Sequence, residues 1–225
     1  MTTRTSTSTS ALPKARPSPA KRHSLPPPGA KKSEATRLRI LDAAAYVLSQ
    51  EGYAGTKLTD IAQHAKLRVS TLYYYFESRE ALVLDVLLSG SASVRTHVET
   101  AVAQLPPGTS AVDRVCAAAE AHLRYVLEIS HYTEASVRNT GQLPAHMRTA
   151  VDKEHSLYGR FWQRLIDSAV GSDEAYRSPT QRRALWLLIV GALNSTVEWL
   201  APSRASVDQV VQTALTLTRR AIGAG

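Results

Sequence analysis

The chain has 225 residues and a formal net charge of +8, from 27 lysines and arginines against 19 aspartates and glutamates. This length accommodates a small domain together with one larger domain. Cys116 is the only cysteine, which excludes an intramolecular disulfide and a cluster of thiolate metal ligands within one chain. Its alanine-rich surroundings predict a buried, small apolar side chain.

Catalytic and metal-binding patterns are missing from the sequence. His122 and His131 lie nine residues apart, as do His146 and His155, a spacing that points to opposite faces of a helix. We find no nucleophile elbow, phosphate loop or zincin helix. We therefore predict no enzymatic activity, no catalytic residue, no metal site and no cofactor.

Residues 1–32 form a basic, proline-rich tail. Seven of the eight net positive charges lie within residues 1–33, which contain no acid, so residues 34–225 carry only +1. The tail shows no apolar periodicity, and we predict that it is disordered. It could add salt-sensitive contacts to nucleic-acid phosphates, or serve as a solubilising leader without another role. It lacks the apolar core of a secretory signal, so we expect a cytoplasmic protein.

Three short helices are predicted after the tail. The first spans 33–51 and stops at Gly52. The second has a complete apolar stripe at helical spacing and takes an N-cap oxygen from Thr56 or Thr59. A turn at 66–68 leads to the third helix, which buries Leu72 and Phe76. The stripe of the second helix consists of Leu58, Ile61, Ala62 and Ala65.

The outward arc of the third helix is rich in hydroxyl groups. Successive helix positions lie about 100° apart, so three consecutive tyrosines at 73–75 cannot all face one core. Hydroxyls on a rigid helix can donate to phosphate oxygens and touch base edges in the major groove of DNA. We therefore predict a helix-turn-helix that binds DNA. The predicted contact residues are Thr56, Lys57, Thr59, Arg68, Ser70, Thr71, Tyr73, Tyr74, Tyr75 and Arg79.

The stretch 71–80 resembles the DNA-binding signature of TetR-family transcriptional regulators. The matching positions are Thr71, Leu72, Tyr73, Tyr74, Tyr75, Phe76, Ser78, Arg79 and Glu80. Lys66 replaces the glycine that is usual in the turn, where a positive φ would cost about 1 kcal/mol. Tyr75 replaces the usual histidine. By analogy, Ser78 would cap the next helix and Arg79 would reach a phosphate.

The remaining chain is predicted to be helical throughout. A long helix begins at Ser78 and ends before Pro106, and further helices follow at about 110–130, 131–139, 145–170, 180–201 and 206–222. The fold class is therefore all-α, with a three-helix DNA-binding domain at 33–80 and a helical effector-binding and dimerisation domain at 81–225. The TetR resemblance is strong over residues 34–90 and mostly architectural over 91–225.

The segment 184–200 carries two apolar stripes and must be covered twice. It is too short and too closely flanked by charges to span a bilayer, so no membrane contact is expected. We predict that one face packs within the chain and the other forms a two-fold homodimer, which would bind a roughly palindromic operator. A monomer that buries both stripes is the alternative. The predicted interface residues are Trp186, Val190, Leu193, Val197, Leu200, Val207, Val211 and Ala214.

The TetR resemblance also implies a repressor whose larger domain encloses a small hydrophobic effector. The C-terminal pattern is similar to the KstR2-like and fatty-acid-type branch, whose ligands are acyl-CoA thioesters. Arginines at the mouth of an apolar cavity would suit such a ligand, although they could equally form a solvated basic face. A regulator without a ligand, controlled by a protein partner or by abundance, is the alternative. The predicted ligand-binding residues are Arg138, Tyr158, Arg160, Phe161, Trp162, Arg164 and Asn194.

Overall fold

The computed structural model describes residues 32–129, 131–171, 174–203 and 205–223, and within these ranges it is helical and contains no strand. The helices are α1 (Lys32–Gly55), α2 (Leu58–Ala65), α3 (Val69–Tyr75), α4 (Arg79–Ala103), α5 (Ala111–Arg124), α6 (His131–Asn139), α7 (Ala145–Val170), α8 (Pro179–Ser203) and α9 (Val207–Ala221). A π-helical turn extends α5, and short 3-10 turns follow α6 and α7. The predicted all-α class is confirmed. Residues 1–31 of the predicted tail lie outside the described ranges.

Helices α1, α2 and α3 pack around one hydrophobic core. Ile40 and Leu48 of α1, Ile61 of α2 and Leu72 of α3 are fully or almost fully buried in it. The same core continues into α4, α6 and α7, where Met147 is buried. The predicted helix-turn-helix helices therefore share their hydrophobic core with the larger domain.

The turn between α2 and α3 adopts the strained conformation that the sequence suggested. Lys66 has φ 55° and ψ 46°, and it is the only non-glycine residue with positive φ among those described. The N-cap prediction for α2 is wrong. Lys57 occupies the N-cap position, and no side chain caps the helix there. The Thr56 hydroxyl donates to the Gly52 carbonyl instead. The Thr59 hydroxyl donates to Asp60.

Helix α4 runs from the predicted DNA-binding domain into the larger domain. Ser78 caps it as predicted, because its hydroxyl accepts a hydrogen bond from the Ala81 N–H at 3.0 Å. Ser110 caps α5 in the same way, and Ser206 forms a capping box with Gln209 at the start of α9. Local sequence therefore determines where these helices begin.

A second hydrophobic core joins α5, α7, α8 and α9 to the C-terminal half of α4. Trp162 and Leu123 are completely buried there. Cys116 is also buried, as predicted. Across the described residues, no helix combines the length and the apolarity needed to cross a membrane.

Candidate DNA interface and effector site

Helix α3 presents a row of hydroxyl groups on its outer face. Tyr73 is 58% exposed and Tyr74 is 81% exposed, whereas Leu72 and Phe76 are buried beneath them. Tyr75 is half-buried and lies edge-on to Tyr74, with ring centroids 5.1 Å apart. Further predicted DNA-contacting side chains are also at least partly exposed, namely Lys57, Thr59, Arg68, Ser70 and Thr71. This arrangement provides donors for phosphates and base edges on one surface.

Two residues of the predicted DNA-contacting set are used inside the protein. Thr56 is buried, and its hydroxyl donates to the Gly52 carbonyl at 2.7 Å, which contradicts a side-chain contact with DNA. The Arg79 guanidinium donates to the carbonyls of Tyr53 at 2.7 Å and Thr56 at 3.2 Å, and it lies 4.6 Å over the Tyr53 ring. Arg79 therefore holds the connection between α1 and α2 rather than extending freely towards a phosphate.

That connection is held from the other side by the end of α6. Gly52 breaks the helical geometry of α1, with φ 69° and ψ 174°. The N–H of Tyr53, the residue after this break, donates to the side-chain oxygen of Asn139 at 2.7 Å. The side-chain NH2 of Asn139 donates to the Leu48 carbonyl at 3.2 Å. Asn139 is fully buried and thus serves as the cap of the regular part of α1.

Arg138 completes this cap and extends it to α8. Its guanidinium donates to the carbonyl of Ser49 and to the carbonyl of Val197, each at 3.1 Å. It also pairs with Glu134 on its own helix. The prediction that Arg138 contacts the effector is therefore not supported by its placement, because its hydrogen bonds link α1 to α8.

Additional contacts attach α6 and α4 to α1. The Tyr132 hydroxyl donates to Asp42 at 2.8 Å, and burial together with this carboxylate raises the pKa of Tyr132. Tyr46 stacks on His64 of α2 at 4.2 Å and meets His131 of α6 edge-on. A salt bridge joins Arg37 to Asp85 of α4. These contacts therefore join α1 to α2, α4 and α6.

A cavity of about 380 Å³ lies between α4, α5, α6, α7 and α8. Its walls are mainly apolar and include Val94, Trp186, Leu187 and Val190. Gly159 on α7 allows the Trp186 ring to approach closely, since an added Cβ would lie 3.1 Å from the indole. Three of the predicted ligand-binding residues line this cavity, namely Tyr158, Trp162 and Asn194. A fourth, Phe161, stacks on Tyr158 beside it.

A buried histidine organises one polar wall of the cavity. His122 lies 2.9 Å from the Tyr158 hydroxyl through Nδ1 and 3.0 Å from Asn194 Oδ1 through Nε2. Burial, opposed by the hydrogen bond to Asn194, lowers the pKa of His122 to about 4, so the ring is neutral at pH 7. Nε2–H then donates to the amide oxygen, and Nδ1 accepts from the hydroxyl. Burial also raises the pKa of Tyr158.

A second polar group lines the cavity towards α4 and α6. The hydroxyls of Ser91 and Ser136 lie 2.9 Å apart, and His155 Nε2 lies 3.2 Å from Ser91. Burial lowers the pKa of His155, against the raising effects of Asp152 and Glu154. Ser136 is two residues before Arg138 on α6. The cavity wall and the cap of α1 are therefore parts of the same short helix.

Two predicted ligand-binding arginines face away from the cavity. Arg160 and Arg164 are exposed and are not among its lining residues. Each is two positions from Trp162, and a separation of two residues rotates a side chain by about 200° on a helix. The arginine-lined mouth predicted from the sequence is therefore wrong, and the exposed basic face is what the structure contains.

The predicted dimer interface also needs correction. Val190, Leu193, Val197 and Val211 are buried in the chain's own core, and Trp186 lines the cavity. Leu200 and Val207 are half-buried. Leu188 at 72%, Trp199 at 43% and Leu217 at 62% are exposed on α8 and α9, and they border a groove of about 610 Å³ that also includes Ala214. Leu187 on α8 is exposed as well, but it lines the other cavity. The second stripe of α8 is also largely buried, at Leu185, Ile189 and Thr196, whereas its last member, Trp199, is exposed.

Two family models match this chain. The model described as "Bacterial regulatory proteins, tetR family" matches residues 40–86, and the model described as "Tetracyclin repressor-like, C-terminal domain" matches residues 108–222. The second match alone covers about half of the chain. The chain belongs to the TetR family. It is accordingly a DNA-binding transcriptional regulator, and the resemblance inferred from α3 is confirmed.

Individual relatives of this TetR-family protein are distant. The transcriptional repressor KstR of Rhodococcus jostii is 24% identical over 181 residues, which is 80% of each chain. AibR, in complex with isovaleryl coenzyme A and operator DNA, has a TM-score of 0.70 at 19% identity and covers 81% of this chain and 97% of its own. FadR of Bacillus subtilis, in complex with stearoyl-CoA, has a TM-score of 0.67 at 16% identity, with coverage of 84% and 98%. The two solved structures confirm the fold.

Sequence reasoning missed several residues that this TetR-family fold brings together. His122, Ser91, Ser136 and His155 line the cavity but were not predicted as site residues. A usable signal existed for His122, because it is a single polar side chain on the alanine-rich buried face of α5. The two serines gave no such signal, since small hydroxyl residues are common on helices that pack closely.

Proposed function

We propose that this TetR-family protein is a repressor that binds a palindromic operator as a homodimer and is released by a small hydrophobic effector in the cavity between α4 and α8. The observation that carries the proposal is the placement of α6. Ser136 lines the cavity, while Arg138 and Asn139 cap the broken end of α1. One helix thus contacts both the effector cavity and the connection that positions α2.

The DNA-binding part of the proposal is supported by the surface of α3. Tyr73, Tyr74 and Ser70 are exposed on one helix, and Arg68 and Lys57 add positive charge beside them. Hydroxyl and cationic groups together are suited to the phosphates and base edges of a major groove. Thr56 and Arg79 would act indirectly, by fixing the angle between α1 and α2.

The homodimer part is supported by the exposed face of α8 and α9. Leu188, Trp199 and Leu217 form an apolar surface on two neighbouring helices, which is typical of a helix-bundle interface. A second copy that presents the same two helices would cover this face symmetrically. Such a dimer would hold two α3 helices at a fixed separation, as an inverted-repeat operator requires.

Release would follow from a shift of α6 or α4 when the cavity is filled. An effector that contacts Ser136 or Ser91 and binds better to a shifted arrangement would favour it. The contacts of Asn139 with Tyr53 and of Arg79 with the same loop would then change, and the two α3 helices would no longer fit the groove spacing. The differential affinity of the effector for the two arrangements sets the size of this response.

Acyl-CoA thioesters are one candidate class of effector. The structural neighbours AibR and FadR are complexes with isovaleryl coenzyme A and stearoyl-CoA. The cavity of about 380 Å³ would accept the acyl part only, and its lining includes no lysine or arginine for the phosphates. The nucleotide would therefore lie outside. Control by a protein partner or by abundance is the competing proposal, favoured if no effector releases the protein.

A cavity-filling variant tests the proposal. Gly191 lines the cavity, and a Cβ added there would meet no atom within 4 Å. We therefore expect Gly191→Leu to fold and to bind the operator DNA as tightly as the wild type does. Decanoyl-CoA is one of the compounds to be tested. Any compound that releases the wild type from the operator should fail to release this variant. Gly141→Leu is the matched control, because Gly141 has the same free space but lies outside the cavity. Equal release of both variants would contradict the proposed site.

A further inference from the structure

We infer that the cavity selects an uncharged effector, namely an apolar molecule with a carbonyl-type oxygen that accepts a hydrogen bond from Trp162. This inference rests on the proposed function, because it assumes that the cavity between α4 and α8 receives the effector. It goes further by specifying the chemistry that the cavity recognises and the residue that recognises it.

The indole N–H of Trp162 is a buried donor without a partner. The side chain is completely buried, lines the cavity, and makes no hydrogen bond with the described residues. Burial raises the pKa of Tyr158, an effect that Trp162 partly opposes, but the indole N–H does not meet hydrogen-bond geometry with the Tyr158 hydroxyl. Tryptophan can only donate, and an unsatisfied buried donor is unfavourable. A ligand oxygen at this position would remove the penalty.

The charge of the lining argues against an ionised ligand group. The described residues that line the cavity include no arginine, lysine, aspartate or glutamate. Among these residues the titratable groups are His122, His155 and Tyr158, and burial lowers the pKa of both histidines. A carboxylate or phosphate would therefore lose its hydration without gaining a compensating cation. An uncharged oxygen does not carry this cost.

The shape of the cavity places the polar groups along one side of an apolar space. His155, Tyr158 and Trp162 follow one another on α7 at spacings of three and four, so they share one helix face. Val94, Val190 and the Trp186 ring supply apolar walls. At about 380 Å³ the cavity is at the small end of the usual range for ligand sites. A single ring with a short chain is of suitable size.

Four related probes separate these features. Butyrophenone and butylbenzene differ only by a carbonyl in place of a methylene. The other two, 4-phenylbutyrate and 4-phenylbutyryl-CoA, carry the same ring with a charged or nucleotide-bearing end. Binding of each to the full-length protein is measured by calorimetry, and Trp162→Phe keeps an aromatic ring while removing the N–H. Tyr125→Phe is the control, because it removes a hydroxyl from an aromatic side chain that lines neither the cavity nor the α8–α9 groove.

We expect butyrophenone to bind about tenfold more tightly than butylbenzene and 4-phenylbutyrate. In Trp162→Phe the ketone should lose this advantage over butylbenzene, whereas Tyr125→Phe should retain it. Comparing the two probes within one variant removes any general effect of altered packing. Stronger binding of the carboxylate or the CoA ester, an unchanged ketone preference in Trp162→Phe, or no binding of any probe would each overturn the inference.

Measurements of operator binding distinguish failure of the uncharged-ligand inference from failure of the proposed function. If the CoA ester binds and releases the operator while the ketone does not, the uncharged-ligand inference is wrong and the ligand-released repressor stands. If the wild-type protein binds no specific DNA sequence, the proposed function itself is wrong, whatever the cavity binds.

Discussion

The backbone N–H of Tyr53 donates to the side-chain oxygen of Asn139 at 2.7 Å, although the two residues lie 86 positions apart. Tyr53 follows the break in α1, and Asn139 ends α6. The hydrogen bond therefore ties the connection that leads into the helix-turn-helix to a helix that also lines the proposed effector cavity. Arg79, which begins α4, holds the carbonyl of the same Tyr53.

Replacing Asn139 by alanine should destabilise the protein. The substitution leaves the Tyr53 N–H and the Leu48 carbonyl buried without their partner, so the free energy of unfolding should fall by about 2–3 kcal/mol. Urea denaturation measures this change. Gln142→Ala, at an exposed position three residues away, should cost less than about 0.5 kcal/mol. Equal effects of the two substitutions would show that the cap contributes little.

Removing the hydroxyl of Tyr74 should weaken operator binding without changing stability. Tyr74 is 81% exposed on α3, and Tyr74→Phe would remove one donor to DNA, with an expected loss of about fivefold to tenfold in affinity. Fluorescence anisotropy with labelled operator DNA measures this affinity. Tyr46→Phe is the control, because Tyr46 is a partly exposed tyrosine of α1. An unchanged affinity for Tyr74→Phe would remove this hydroxyl from the interface.

Charges placed in the α8–α9 groove should dissociate the dimer. Leu188→Glu combined with Leu217→Glu would bury like charges against an apolar partner face, so analytical ultracentrifugation should show a monomer with weak operator binding. Leu157→Glu alters an exposed leucine on α7 and should leave the dimer intact. A double variant that remains dimeric would place the interface elsewhere.

His122 should make the protein less stable as the pH falls. Its folded-state pKa of about 4 lies below the ordinary value of 6.5, so the unfolded chain takes up the proton first. The stability that the neutral ring provides is present above pH 6.5 and is lost as the pH falls from there towards 4. Between about pH 7.5 and pH 5 this loss amounts to about 2 kcal/mol.

Urea denaturation at the two pH values, for the wild type and His122→Asn, isolates this contribution. The variant should be less stable at pH 7.5, because Tyr158 and Asn194 lose their shared partner. Between pH 7.5 and pH 5, however, the free energy of unfolding of the variant should fall by about 2 kcal/mol less than that of the wild type. Parallel declines would mean that His122 titrates normally in the folded protein.

Local signals in the sequence predicted much of this fold. Gly52, Ser78 and Pro106 mark helix ends, because glycine, capping serine and proline act on the neighbouring backbone. The positive φ of Lys66 followed from the turn it occupies. The exposure of Tyr73 and Tyr74 followed from helical periodicity. Each of these features depends on a few adjacent residues.

Features that depend on tertiary packing were predicted less well. Apolar residues lie on nearly every side of α8, so the sequence could not decide that Ile189 and Val190 face inward while Leu188 faces outward. Arg160 and Arg164 were grouped with Tyr158 and Trp162 by proximity in sequence, although their helical phase separates them. Similarly, the roles of Arg138 and Asn139 depend on a break in α1 that lies far away in the chain.

Two copies of this chain are proposed to recognise two half-sites at a fixed spacing. The most direct measurement is a binding titration of the purified full-length protein on its best genomic site, compared with the same site lengthened at its centre by about five base pairs, or half a helical turn. We predict two chains per inverted repeat and an affinity at least about tenfold weaker for the lengthened site. Equal affinity for both sites, or one chain per site, would contradict the account.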